Sequence, residues 1–119
     1  MADLQSIGFL QGTKTIDYGW GQTYYDTARS LRSADGLVTL HGLAKVEVSS
    51  NPLVAGDVIG EVDEAHRPAF GSVHNAVANN GIVRVSVKPD GKIVYEALAG
   101  SPTSVDKFIS FQGIAFLGA

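Results

Sequence analysis

Apolar and polar residues alternate along this chain with a period of two, and glycine repeatedly interrupts the pattern. Val83, Val85 and Val87 fall on one face of an extended segment, with Arg84, Ser86 and Lys88 on the other. Successive side chains of a strand point to opposite faces, so this alternation fits a half-buried strand and no helix. Pro89-Asp90-Gly91 follows directly. Proline presets φ and glycine accepts positive φ, which predicts a turn and a return strand over 92–98. Val38, Leu40, Ala44, Val46 and Val48 share a face in the same way, opposite Thr39, His41, Lys45 and Glu47, and predict a single extended segment. A second hairpin is expected to pivot at Ala34-Asp35-Gly36 and to join a strand over 24–32 with one starting at Leu37. Further strands are expected over 57–62, 73–78 and 107–117, with Gly113 marking a bulge or a close backbone approach. Residues 72–79 read as strand, because Val73 and Val77 are β-branched and Asn79-Asn80-Gly81 is a turn signal. No helix is expected. The fold class is all-β: an antiparallel sandwich, jelly roll or small barrel, whose connectivity periodicity alone does not decide.

Composition narrows the function. At 119 residues, 45% of them hydrophobic, the chain has the size and apolar content of one domain with a modest core. Net charge is −3 and no Lys/Arg run occurs, which disfavours nucleic-acid binding. The absence of cysteine excludes disulfide scaffolds, thiolate zinc sites and cysteine nucleophiles. Met1 to Gln5 carry neither the basic region nor the apolar run of a signal peptide, and no apolar stretch is long enough to span a bilayer. Residues 1–22 are turn-rich and only weakly periodic. They are expected to form an N-terminal arm or first edge strand, with the β-sandwich domain over 23–119.

Tyr18, Trp20, Tyr24 and Tyr25 cluster near Gln22 and Asp26. Aromatic faces stack on sugar C–H surfaces while the polar neighbours bind hydroxyls, so these four are the candidate carbohydrate-binding residues. The same residue types suit a core or a subunit contact. Phe108, Phe111 and Phe116 read as core. His41, His66 and His74 lack any His-x-His or His-x-x-x-His spacing, so no metal site is expected. Asp63-Glu64 with His66 reads as a solvated loop, and residues 100–104 as a flexible surface loop. No Gly-x-Ser-x-Gly elbow or other catalytic constellation occurs, and neither an enzyme nor a cofactor is expected.

Five phrases, taken in order, carry a family resemblance. They are Val38-Thr39-Leu40-His41-Gly42-Leu43-Ala44-Lys45, Gly56-Asp57-Val58-Ile59, His66-Arg67-Pro68-Ala69, Val83 to Gly91, and Ile109 to Phe116. Their order and spacing over residues 23 to 119 resemble the C-terminal β-sandwich domains of bacteriophage tail-fibre and receptor-binding proteins. Where that family often has Leu-Pro and an aromatic ahead of Arg-Pro, this chain has Val62-Asp63-Glu64-Ala65-His66. The resemblance implies a homotrimeric, non-catalytic virion protein, assembled in the host cytoplasm, that contacts host surface glycans and other virion proteins. A second reading it allows is a head-fibre or capsid decoration protein anchored through its N-terminal arm. A third, weaker one is an accessory domain of a carbohydrate-active enzyme. Symmetric association would bury apolar surface that a small sandwich leaves exposed.

Overall fold

The computed structural model describes residues 3–9, 14–17, 28–47, 53–79, 81–98 and 107–119. Among these the strands are β1 (Asp3–Ser6), β2 (Thr15–Asp17), β3 (Arg29–Arg32), β4 (Leu37–His41), β5 (Leu43–Val46), β6 (Val58–Glu61), β7 (Ser72–Ala78), β8 (Gly81–Val87), β9 (Lys92–Leu98), β10 (Phe108–Ser110) and β11 (Ala115–Leu117). One 3-10 turn, Glu64–His66, is the only helical element described. All pairings are antiparallel. One sheet has the order β1-β3-β4-β11 and the other β2-β5-β10-β7-β8-β9-β6.

Local turn chemistry produces the hairpins. At Pro89-Asp90-Gly91 the Gly91 amide bonds the Lys88 carbonyl at 2.9 Å, and the Lys88 amide bonds the Lys92 carbonyl at 2.9 Å. The β8–β9 ladder then runs from Val87↔Ile93 to Val83↔Leu98, with a bulge between Arg84 and Val85. At Ala34-Asp35-Gly36 the Ser33 amide bonds the Leu37 carbonyl, and β3 pairs with β4 from Arg32↔Val38 to Arg29↔His41. Residues 24–27 of the strand expected over 24–32 lie outside the described residues. The alternation buries Val83, Val85 and Val87 completely, against Val38, Leu40 and Phe116 of the other sheet in one continuous core.

Two expected long strands are each broken in two. The run expected from Val38 to Val48, of which Val48 lies outside the described residues, crosses between sheets at Gly42, and the run over 107–117 crosses at Gln112-Gly113. Gly42 and Gly113 both sit at φ 90°. A side chain is disfavoured there, so these glycines are where the chain can turn a corner. The corners lie side by side. The Leu40 amide bonds the Ile114 carbonyl at 2.9 Å, and the Phe111 amide bonds the Gly42 carbonyl at 2.9 Å. The Gln112 side-chain oxygen accepts the Gly42 amide at 3.1 Å. A paired ribbon therefore leaves one sheet as β4–β11 and enters the other as β5–β10. Phe111, at the bend, is wholly buried. Phe116 is core as expected, but Phe108 is only partly buried and outside the core cluster. It lies opposite exposed Lys45, while its neighbour Ile109 takes the inward position opposite Ala44.

The seven-stranded sheet curls until its two edges meet. Thr15 of β2 donates its hydroxyl to the Ile59 carbonyl of β6 at 3.0 Å, although these strands are the opposite ends of the sheet order. Lys14 and Asp57 pair beside them at 3.0 Å. Gly8 then bridges Glu61 with two backbone bonds of 2.8 Å and covers the β6 edge. On the other sheet, Pro68 bridges Gly118 beside β11. Thus β1 and β2, the described strands within residues 1–22, are both edge strands.

Candidate functional site

The structure describes none of Tyr18, Trp20, Tyr24, Tyr25, Gln22 and Asp26; all six lie outside the described residues, as does the loop over 100–104. What it shows of the remaining polar residues starts with a correction. Asp63 and Glu64 do lie at the surface, but His66 is wholly buried rather than part of a solvated loop. Asp63 caps the 3-10 turn by accepting the Ala65 amide at 3.0 Å, which swings His66 inward beneath β3. There Ser30 Oγ meets Nδ1 at 2.6 Å, and Asp3 Oδ2 meets Nε2 at 2.8 Å. The His66 hydrogen bond is the main reason that the Asp3 carboxyl is held below its usual pKa. With the carboxylate accepting the Nε2 proton, a neutral ring presents Nδ1 as acceptor to the serine hydroxyl.

Asp, His and Ser are the residue types of an acyl-transfer relay, but this geometry opposes that use. Ser30 is wholly buried, so no substrate reaches Oγ. The group is a structural bolt. It joins β1, β3 and the 3-10 turn, three segments that are remote in sequence.

The other histidines do not converge with it. His41 Nε2 lies 2.9 Å from Thr39 Oγ1, and His74 Nε2 lies 2.7 Å from Ser72 Oγ. Burial lowers the pKa of His74, whose ring packs against Phe116 at 6.4 Å. Among the described residues no group of three or more His, Asp or Glu side chains is placed to hold a metal ion. No described helix is long and apolar enough to cross a membrane.

Two surface recesses are lined by described residues alone. The polar one, ≈ 320 Å³, is lined by Glu61, Asp63, Glu64 and Arg67 among others. Within it Arg67 pairs with Glu61 at 3.3 Å and Asp63 caps the turn, while the buried Arg67 Nε has no hydrogen-bond partner among the described residues. The apolar one, ≈ 400 Å³, opens where the chain leaves the Pro68–Gly118 bridge and enters β7. Phe70, Leu117, Phe116, Ala69 and Ser72 line it. Phe70 is 85% exposed and Leu117 is 70% exposed. Leu117 points outward because β11 alternates and spends its inward position on Phe116. Phe70 lies in an irregular segment, where no strand period directs a side chain inward. Sequence reasoning missed it. The available signal was an aromatic residue after Pro68-Ala69 and before Gly71, outside any alternating run.

No family model matches the chain, and no curated protein matches it. Among solved structures it is similar to the receptor binding protein (gp15) of Listeria phage PSA, with a TM-score of 0.71. The superposition covers 100% of this chain and 66% of that one, at 12% sequence identity. The chain thus spans slightly less than two thirds of that protein. At this identity the likeness is one of fold alone: an all-β, antiparallel architecture shared with that protein.

Proposed function

We propose that this protein is a bacteriophage virion component, a fibre-tip type module that associates as a homotrimer and attaches the particle to host surface carbohydrate. The observation that carries the reading is the fold, which follows the phage receptor-binding protein along the whole chain. The surface supports association. Val73, Val77 and Ile82 are exposed on the outer face of β7–β8, where Val77 lies directly opposite Ile82. The solvent face of an antiparallel sheet ordinarily carries polar residues, so exposed apolar side chains on either side of the Asn75–Arg84 pair suit contact with a second copy. A net charge of −3 opposes such contact only weakly. Tyr18, Trp20, Tyr24 and Tyr25 are proposed as carbohydrate contacts on the chemistry of their side chains.

The test is a binding assay of labelled protein on a panel of bacterial strains that includes Listeria, beside phage capsids lacking the protein. Saturable binding to cells, lost in Trp20→Ala and Tyr25→Ala while light scattering still reports a trimer, is expected. Binding to capsids alone would replace this reading with that of a decoration protein held by residues 1–22. A monomer at micromolar concentration would overturn the trimer.

A further inference from the structure

Two apolar faces of this protein look away from the same core. Alternation in β4 and β11 sends Val38, Leu40 and Phe116 inward, so Leu37, Thr39, Ala115 and Leu117 face out. Residues directly opposite one another in a ladder share a face. Leu117 lies opposite Leu37, Thr39 opposite Leu31, and Leu31 opposite Leu4. Leucines therefore cross the outside of the four-stranded sheet from β11 to β1, and Leu4, Leu37 and Leu117 are exposed there. The outside of β7–β8 is the second face. Val73 lies on one side of the Asn75–Arg84 pair, and Val77 with Ile82 on the other.

The two faces share a margin. The apolar recess is lined by Phe70 and Gly71, which lead into β7, and by Leu117 and Gly118 at the end of β11. Phe70, the most exposed large apolar side chain of the described residues, stands where both faces end.

The faces also carry opposite charges. Asp35 is exposed in the β3–β4 hairpin, two residues before Leu37. The Ser33 hydroxyl holds its carboxyl below the usual pKa, so it is ionised at neutral pH. Arg84 is exposed at the centre of the β7–β8 face and makes no salt bridge among the described residues. Lys88, farther along that strand, already faces Glu96 at 3.9 Å. Arg29, at the far end of the four-stranded face, is engaged within its own chain. Packing either face on its own counterpart would bring Asp35 toward Asp35, or Arg84 toward Arg84. Packing one face on the other brings opposite charges together. A contact between two different faces is heterologous, and it repeats from copy to copy until a ring closes.

We infer that copies of this chain join head to tail, the leucine face of the four-stranded sheet against the β7–β8 face of the next copy. Asp35 lies beside the neighbour's Arg84, and the three Phe70 rings gather at the axis. Both faces of every copy are then covered, which no single two-fold contact achieves. This deepens the homotrimer reading and rests on it.

Sedimentation velocity of the intact chain at micromolar concentration tests the pairing. Val77→Lys blocks one face and Leu117→Lys the other. Both positions are exposed, so the fold survives, which an unchanged far-UV spectrum will verify. Each variant alone is expected to be monomeric. Their equimolar mixture is expected to give a mixed dimer, since each partner keeps the face that the other has lost. A two-fold contact gives the opposite pattern: one variant would still dimerise through its untouched face, and mixing would add nothing. Arg84→Glu is expected to weaken association about tenfold, and Asp35→Lys in the same chain to restore it. A trimer that survives either lysine variant, a single variant that dimerises, a mixture that stays monomeric, or a double charge reversal that fails to restore association would each overturn the head-to-tail pairing and spare the wild-type trimer. A monomeric wild type would overturn the trimer itself and leave both faces to a foreign partner.

Discussion

The Asp3–His66–Ser30 group makes a quantitative prediction about the fold. Ser30 and His66 are both 0% exposed, and their contact is 2.6 Å long. Ser30→Ala removes the hydroxyl and leaves the buried Nδ1 of His66 without a partner. A buried polar atom orphaned in this way costs about 1–3 kcal/mol. His66→Ala empties the volume of a buried ring and orphans the Ser30 hydroxyl instead. Truncation of a buried aromatic ring costs roughly 3–5 kcal/mol. The double variant removes both ends of the contact together, so no orphan remains and the two costs do not add. A coupling of about 1–2 kcal/mol is expected, within the range for residues in direct contact. Urea denaturation at neutral pH reads these values. With a slope of about 1–3 kcal/mol per molar, Ser30→Ala should lower the midpoint by roughly 1 M. Asp3→Asn should lower it less, because Asp3 is half-exposed and water takes over its role. Additive single-variant costs, or a Ser30→Ala midpoint equal to the wild type, would refute the claim that this is a coupled buried network.

Gly91→Ala should destabilise by about 2 kcal/mol or more, since φ there is 89° and left-handed geometry alone costs an L-residue about 1–2 kcal/mol. The added Cβ would also lie 2.7 Å from the Val62 carbonyl oxygen and from Arg67 Nε, so a melting temperature unchanged in this variant would contradict the packing of that turn. Burial lowers the pKa of His74, so the unfolded chain binds its proton more readily than the folded one. The stability it confers is fully present above its ordinary pKa of 6.5 and is lost as pH falls through the folded value. His74→Gln should therefore flatten the decline of the urea midpoint below pH 6.5, and an unchanged decline would assign the effect to other groups.

The hairpins were legible because their information is local. Pro89-Asp90-Gly91 and Ala34-Asp35-Gly36 specify turns within a few residues, and the flanking alternation sets the register. The crossovers were hidden by that same alternation. Val38 and Leu40 face inward from one sheet, and Ala44 and Val46 face inward from the other. A strand that hinges at Gly42 from one layer to the facing layer keeps its inward residues inward, so its parity matches that of an unbroken strand. Phe108, Phe111 and Phe116 looked equivalent, yet burial depends on which sheet and which side of the bend each occupies. The burial of His66 could not be read at all, because its partners lie 36 and 63 residues away. Phe70 escaped for the opposite reason, since no periodicity governs an aromatic residue in an irregular segment.

How the chain treats its sheet edges bears on where partners can meet it. Open edges invite strand addition, so edges that are covered turn association toward other surfaces. Here the β6 edge is covered by Gly8, β2 is tied to β6 through Thr15, and the segment at Pro68 flanks β11. β1 lies at the outer side of its sheet, with Asp3 bolted to His66. The most exposed large apolar side chains among the described residues are Phe70, Leu117 and Val73, while Leu4 on the edge strand β1 is about as exposed as Ile82 on the face of β7–β8. The recess at Phe70 and the face of β7–β8 are built on the same hairpin, since Phe70 lies two residues before the start of β7 at Ser72. The rigid β7–β8 ladder, paired at seven successive positions from Ser72↔Val87 to Ala78↔Gly81, fixes the spacing between them. If these apolar side chains join copies, any surface carried by the β7–β8 hairpin is repeated around the assembly, and a weak single-site contact there is multiplied into firm attachment by multivalency.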